Sequence, residues 1–389
     1  MTDYRKELRK YGVKIPEILL PASSDYSRYA VIACDQHSAE PEYWQQTREI
    51  VGDAPSALNM ILPEAELNNR KATDEDICRT MQQYIDSGIL KNIGEGFVYV
   101  KRHTATGIRK GLVLALDLEN YSFEPGNKML IRATEATVKE RLPARIKIRR
   151  NAPLELPHIL VLIDDRDFLL EKVMEAEAAS AAKLYDFNLM QGGGRIEGYH
   201  LSSESACKGV YDVFDHLYRK SNDGFLFAMG DGNHSLAAAK ACWDEIKKSL
   251  SDEERENHPM RFALAEVVNI YDKGLSFHPI HRLLYHVDPE QVQKEIGFDA
   301  EHPESLQTLQ PKLDLWLSSH PEAELEYIHG EEECRKLGNA PDRLSIVFGE
   351  FPRDSFFETI EKNGIFVRKS FSLGTANEKR YYLEARKIH

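Results

Sequence analysis

The sequence predicts a mixed α/β fold organised around a strand-to-helix turn, and three patterns predict it. Short apolar runs, His158–Ile163 and Arg261–Ile270, suit strands buried within a sheet. The segments Glu204–Arg219 and Leu236–Leu250 place apolar residues at three- and four-residue steps, the spacing of amphipathic helices. Between the short strand Phe225–Met229 and the second of these helices lies Gly230-Asp231-Gly232-Asn233-His234-Ser235, rich in residues that adopt unusual backbone angles and cap helices.

Taken in order, the chain opens with two strands, Lys14–Leu20 and Tyr29–Cys34, the second ending in Asp35-Gln36-His37. Helices follow at Pro41–Val51 and from Thr73, where Thr73 and Asp76 form a capping box with Asp in place of the usual Glu. Phe97–Lys101, Gly111–Leu118 and Lys128–Ala133 are separated by turn signals and predict an antiparallel meander. The run His158–Ile163 stops at Asp164-Asp165, and a helix is expected from Phe168 to Lys183. Gln191–Gly198 is glycine-rich but lacks both the dinucleotide fingerprint and the Gly-Lys-Ser/Thr of a Walker loop, so it reads as a turn. After Arg261–Ile270 the chain turns at Tyr271–Gly274 into Phe277–Arg282, and beyond Val287 it becomes more polar. A chain of 389 residues exceeds what one core usually holds. The expected division is 1–287 as the core and 288–389 as a C-terminal α/β extension packed on it.

Fifty Lys and Arg against 63 Asp and Glu leave a net charge of −13, which repels nucleic-acid phosphates and makes DNA or RNA an unlikely partner. The mean hydropathy of −0.47 argues against a membrane-embedded chain. Met1–Lys10 is charged and polar, unlike a signal peptide. Cys34, Cys78, Cys207, Cys242 and Cys334 show no Cys-x-x-Cys spacing and read as reduced thiols. A cytoplasmic protein is the expectation.

The chemistry concentrates in the Gly230–Ser235 turn. A helix N-terminus presents unpaired N–H groups and partial positive charge, and so attracts anions. Gly230 and Gly232 permit positive φ and close backbone approach. Asp231 or Asn233 suits the cap, and His234 and Ser235 fall in the first turn. Asp231 is a candidate Mg²⁺ ligand or base, and His234 a candidate donor to a phosphate oxygen. The plainer reading is an ordinary turn with a helix cap.

Elsewhere, His278 and His281 lack the helical i, i+4 spacing of a zinc site. Asp164-Asp165 reads as a polar strand exit more readily than as a metal pair. Glu266 lies in an apolar strand and needs either a cation, Arg282 for example, or exposure. Cys34 reads as a small hydrophobe ending a strand.

Several ordered elements carry a family resemblance. These are Ala33-Cys34-Asp35-Gln36 with Pro41-Glu42-Tyr43-Trp44, Arg132–Thr137, Glu140-Arg141-Leu142, Arg150–Pro153, Ala228–Ser235, Pro279-Ile280-His281-Arg282 and Arg368-Lys369-Ser370-Phe371. Together they resemble the prokaryotic family known as domain of unknown function 1015. That family in turn resembles the ParB/sulfiredoxin superfamily, which includes a free serine kinase and whose members grip nucleotide phosphates at a helix N-terminus. The resemblance implies a ParB/sulfiredoxin-like core with helical elaborations. It also implies ATP or ADP as ligand with Mg²⁺, and a site drawn from Glu135, Asp231 and His234 as catalytic groups. Arg132, Thr137, Arg141, Gly230, Gly232, Asn233, Ser235, His281, Arg282, Lys369 and Ser370 would hold phosphate or nucleotide. Glu135 suits a general base or magnesium ligand, or simply a helix-start carboxylate.

Two departures matter. Asn233 stands where sulfiredoxin has its catalytic cysteine, which argues against sulfinic acid reduction. Ser235 stands where the loop arginine is expected, removing a bidentate donor, so another cation must substitute. The function implied is a nucleotide-dependent kinase acting on a small hydroxyl metabolite such as free serine. The alternatives are a nucleotide-binding regulatory protein without turnover and, against the charge, a nuclease or DNA-partition protein.

Overall fold

The computed structural model describes residues 2–23, 25–67, 69–137 and 142–389. The chain forms two compact units, Met1–Leu275 with Thr375–His389, and Ser276–Gly374. The fold is mixed α/β.

In the first unit the sheet strands are β1 (Val13–Lys14), β2 (Phe97–His103), β3 (Ile108–Asp117), β4 (Tyr121–Ser122) and β5 (Ile131–Arg132). They continue with β6 (Leu160–Ile163), β7 (Ala182–Asn188), β8 (Arg195–Leu201), β9 (Phe227–Asp231) and β10 (Phe262–Asn269). Among the described residues they make one ten-stranded sheet, in the order β7-β8-β2-β3-β10-β6-β9-β5-β4 with β1 on β3. The unit's longer helices are α1 (Pro41–Val51), α2 (Asp74–Asp86), α3 (Leu142–Asn151), α4 (Leu169–Ala178), α5 (Glu204–Lys220) and α6 (Asn233–Ile246).

The capping box at α2 forms as expected: Thr73 Oγ1 accepts from the Asp76 N–H at 3.1 Å, and Asp76 accepts from the Thr73 N–H at 3.1 Å. Every residue of β6 and β10 is buried, which fits their near-continuous apolar sequence. The meander holds only for its first two strands. β2 and β3 form an antiparallel hairpin, but β5 leaves β3 and pairs in parallel with β9 and β4. Local turn signals do not reveal which strand a later segment will find as partner.

The helix expected to reach Lys183 ends at Ala178, and β7 begins at Ala182. β7 pairs with β8 across the glycine-rich turn, where the Leu189 N–H donates to Gly194 O at 2.8 Å. A Cβ at residue 194 would lie 2.2 Å from His103 O, so that turn is built for packing.

The last residues return to the first unit. Tyr381 and Tyr382 pair with Ile32 and Val31, and Arg386 and Lys387 pair with Glu155 and Leu154. Arg380 is buried and donates to Glu266 at 2.8 Å, to Glu384 at 2.6 Å and to Pro157 O at 3.2 Å. Glu266, 2% exposed, is therefore neither solvated nor paired with Arg282. Its cation comes from more than a hundred residues away in sequence.

In the second unit, β11 (Phe277–Tyr285) lies between β12 (Glu324–His329) and β13 (Arg343–Ile346), and its first residues pair with β14 (Phe371–Leu373). All the pairings are antiparallel. The strand containing His281 and Arg282, expected in the core, belongs to this second unit. The segment Thr375–His389, expected in the extension, belongs to the first.

Candidate functional site

The site is built where three chain segments meet the exit of β9. β6 runs antiparallel to β9 with Leu160 opposite Asp231, which brings Ile159 and His158 beside the turn. β5 runs parallel to β9, so the chain after Arg132 emerges at the same end, and Thr134 Oγ1 donates to Met229 O at 2.8 Å. The paired strands Val31–Ile32 and Tyr381–Tyr382 supply Cys34 and Asp35 from one side, and Lys379 and Tyr382 from the other.

Gly232 is the N-cap of α6 at φ 75°. A Cβ there would stand 3.0 Å from Ile159 Cα, so both the angle and the close approach require glycine. Gly230 lies inside β9 without a positive φ, and its predicted special conformation does not occur. The helical ladder begins with the N–H groups of Ser235 and Leu236, each donating to Gly232 O at 3.0 Å. The N–H groups of Asn233 and His234 therefore precede the ladder, at the positive end of a 14-residue helix.

Asp231 accepts from the Gly232 N–H at 2.9 Å, and its other oxygen lies 3.1 Å from Lys379 Nζ. Asn233 Nδ2 donates to Glu135 O at 3.3 Å and to Thr137 Oγ1 at 3.4 Å. Asn233 Oδ1 is buried with no hydrogen bond among the described residues.

A second layer fixes Ser235. Its Oγ is 3.1 Å from His158 Nε2, and His158 Nδ1 is 2.9 Å from the Tyr382 hydroxyl. The Cys34 N–H donates to that same hydroxyl at 3.1 Å. Burial pushes the Tyr382 phenol well above its ordinary value, so it stays neutral with one proton. The tautomer of His158 sets the direction of this relay: with the Tyr382 proton on Nδ1, a neutral imidazole donates from Nε2 to Ser235 Oγ, whereas an Nδ1–H imidazole accepts from serine as it would for an activated nucleophile.

Asp35 Oδ2 lies 3.7 Å from His158 Nε2. Burial raises the Asp35 pKa, but His158, the Gln36 side chain, Lys379 and Arg145 together outweigh it and hold the carboxyl below its usual value. Burial and the Asp35 charge push the Cys34 thiol up to about 12, which leaves it an inert neutral group.

Ser235, His158, Tyr382 and Cys34 line a cavity of about 480 Å³, together with the ion-paired Glu64, Arg145, Arg149 and Glu155. The rest of the lining is mainly apolar and includes Met60, Leu62, Met81, Ile148, Leu156 and Ala238.

Several predicted residues are engaged otherwise. Arg132 is 3% exposed, ion-paired to Asp223 at 2.7 Å, and its guanidinium stacks 4.4 Å from the Phe225 ring. Arg282 is fully buried in the second unit and donates to Gln310 at 2.6 Å, Ile280 O at 2.8 Å and Arg368 O at 3.0 Å. Both guanidiniums serve packing, and neither is available as a phosphate clamp. His281 is buried and accepts from the Phe348 N–H at 3.2 Å, and burial lowers its pKa. Ser370 is buried and donates to Val367 O at 2.7 Å, while Lys369 is exposed. These four belong to the second unit, and the turn belongs to the first. Arg141 lies outside the described residues.

Among the described residues no group of three His, Cys, Asp or Glu side chains is arranged to hold a metal. Asp231, the predicted ligand, is a single carboxylate already bound by an ammonium, so the donor set does not make a metal centre. Asp165 accepts from the Leu170 N–H at 2.8 Å and acts as a polar strand exit. Among the described residues no helix is long and apolar enough to cross a membrane.

Lys379, His158, Tyr382 and Asp35 were not on the predicted site. Only Asp35, in the N-terminal motif, and His158, a polar residue heading an apolar run, gave any local signal.

The fold and site define a mixed α/β protein whose strand-to-helix turn has Gly232 at the N-cap, with no side-chain cap from Asp231 or Asn233, and is backed by a serine–histidine–tyrosine relay. The chain belongs to the family described as Protein of unknown function (DUF1015), which it matches over residues 19–387. Among solved structures it is similar to a mutant free serine kinase in complex with AMP, at 10% identity and a TM-score of 0.38, covering 71% of this chain and 92% of that one. The kinase with ADP gives 10% identity and a TM-score of 0.37, with coverage of 71% and 92%. A conserved hypothetical protein from Pyrococcus furiosus gives 12% identity and a TM-score of 0.33, covering 70% of this chain and 90% of that one. No curated protein matches the chain.

Proposed function

We propose that this protein is a nucleotide-dependent phosphotransferase that moves the terminal phosphoryl group of ATP or ADP to the hydroxyl of a small metabolite. The observation that carries the reading is Ser235. It sits in the first turn of α6 with its oxygen 3.1 Å from His158 Nε2, and with the histidine proton on Nε2 the serine hydroxyl is left to donate to an anion. The N–H group of Asn233 adds to it, and Lys379 supplies the cation that the missing loop arginine would have given. Asp231 positions Lys379. Glu135 and Thr137 flank the turn through Asn233.

In the reaction, a bond forms between the acceptor oxygen and the terminal phosphorus while the bridging P–O bond breaks. The electron pair leaves with the nucleotide, and the hydroxyl proton passes to a carboxylate. Asp35 is assigned that role, since its neighbours keep it ionised. Phosphoryl transfer asks mainly for positioning and charge neutralisation. Mg²⁺ belongs to the reading as an ion carried in on nucleotide phosphates, the usual way it enters such sites. Free serine is the acceptor that the resemblance implies, and a ParB/sulfiredoxin-like core is part of the same proposal. So is a cytoplasmic setting, which all five cysteines suit as free thiols.

The test is incubation with ATP or ADP, Mg²⁺ and a pool of hydroxy metabolites, read by phosphorus NMR for a new phosphomonoester. Asp35→Asn is expected to abolish product while nucleotide still binds. Lys379→Met is expected to weaken nucleotide binding about tenfold or more, the worth of one charge-assisted hydrogen bond. Nucleotide turnover without any phosphorylated metabolite sinks the reading. The absence of an available Arg132 or Arg282 at the turn favours a second one, a regulatory protein that binds nucleotide without turnover. Tight binding with no product under any condition would select it.

A further inference from the structure

The cavity beside Ser235 bears on the identity of the acceptor. Its volume of about 480 Å³ falls in the range of small-molecule sites. Its charged lining residues are already spent: Arg145 pairs with Glu64, and Arg149 with Glu155 at 2.6 Å. No unpaired carboxylate or cation in the described lining is left for the ammonium and carboxylate of an amino acid. Besides these ion-paired residues, the lining has Ser235, His158, Tyr382 and Cys34, which are joined to one another by hydrogen bonds.

We propose that the acceptor is an alcohol with an apolar body, an alkyl chain or hydrocarbon ring, whose oxygen is presented at Ser235 while the body fills the cavity. This rests on the phosphotransferase reading and narrows its substrate class away from zwitterionic metabolites. The phosphorylated product is then a monoester whose head lies at the start of α6 and whose body lies between Leu62, Met81, Ile148 and Ala238. The step balances as before: the alcohol oxygen gains the phosphorus, the proton goes to Asp35, and the nucleotide departs with the bridging oxygen.

The experiment uses the full chain and three product-like probes by calorimetry: n-octyl phosphate, methyl phosphate and O-phosphoserine. Octyl phosphate is expected to bind at least about tenfold more tightly than the other two, since tenfold corresponds to about 1.4 kcal/mol, or roughly two buried methylene groups. Ala238→Phe, which projects a ring into the cavity, is expected to erase that preference. Leu62→Trp does the same from a less buried position, so a folding failure of the first variant leaves the test intact. Equal affinity for all three probes, with AMP or ADP still bound, overturns the apolar acceptor and leaves the phosphotransferase reading standing. Failure of every probe and of the nucleotide overturns both. A preference for O-phosphoserine returns the site to amino-acid substrates.

Discussion

Replacing Arg380 by Met is the sharpest test of how the C-terminal segment holds the site together. The guanidinium is 5% exposed and donates to Glu266 and Glu384, at 2.8 and 2.6 Å, from inside the first unit. Glu266 and Glu384 are each 2% exposed, so removing the cation strands two carboxylates away from water. Some compensation survives: Tyr185 donates to Glu384, and Arg109 Nε stands 3.8 Å from Glu266. Breaking a buried ion pair from one side costs about 3–5 kcal/mol, and folded proteins have about 5–15 kcal/mol in hand. Arg380→Met is therefore expected to remain folded in the cold but to lose about 3–5 kcal/mol in urea unfolding at neutral pH. Lys379 and Tyr382 ride on the same segment, so under the proposed phosphotransferase function nucleotide affinity is expected to fall with it. Adding Glu266→Gln and Glu384→Gln removes the stranded charges, and the triple variant is expected to regain part of the loss. A single-variant loss below about 1 kcal/mol, or a triple variant worse than the single, would refute this account of the segment.

Three further outcomes follow from particular contacts. Nitrogen-15 NMR of His158 should show the Nε2–H tautomer in the native protein, and Tyr382→Phe should move the proton toward Nδ1. A native Nδ1–H tautomer would overturn the donor role of Ser235. Gly232→Ala combines a left-handed backbone with a 3.0 Å approach to Ile159 and is expected to cost about 2 kcal/mol or more. An unchanged denaturation midpoint would contradict the turn geometry. Glu197 is largely buried, yet Lys183, His103 and Tyr199 pull its pKa from 4.5 down to about 2. A carboxylate depressed on folding stabilises above its unfolded pKa and loses that contribution as pH falls toward its folded value. The stability gap between the native protein and Glu197→Gln should therefore be full above about pH 5 and close between about pH 4.5 and 2. A gap that does not change over that window rules the ion pairs out as its cause.

The sequence by itself determined the elements whose signals are local. The buried strands around Leu160–Ile163 and Phe262–Asn269, the capping box at Thr73 and the turn at Gly232 were all legible. Each depends on residues within a few positions of one another, through apolar runs, cap chemistry or a φ that only glycine accepts freely. Partner choice was decided by tertiary structure alone. Which strand receives Ile131–Arg132, which cation reaches Glu266, and which side chains orient Ser235 depend on contacts between residues far apart in the chain. That is also why the cations in the sequence motifs, Arg132 and Arg282, turned out to be packing groups. Lys379, in no recognisable motif, reached the turn because Tyr381–Tyr382 pairs with Val31–Ile32 beside it. A charge advertises its presence in a sequence, but only the fold determines what it faces.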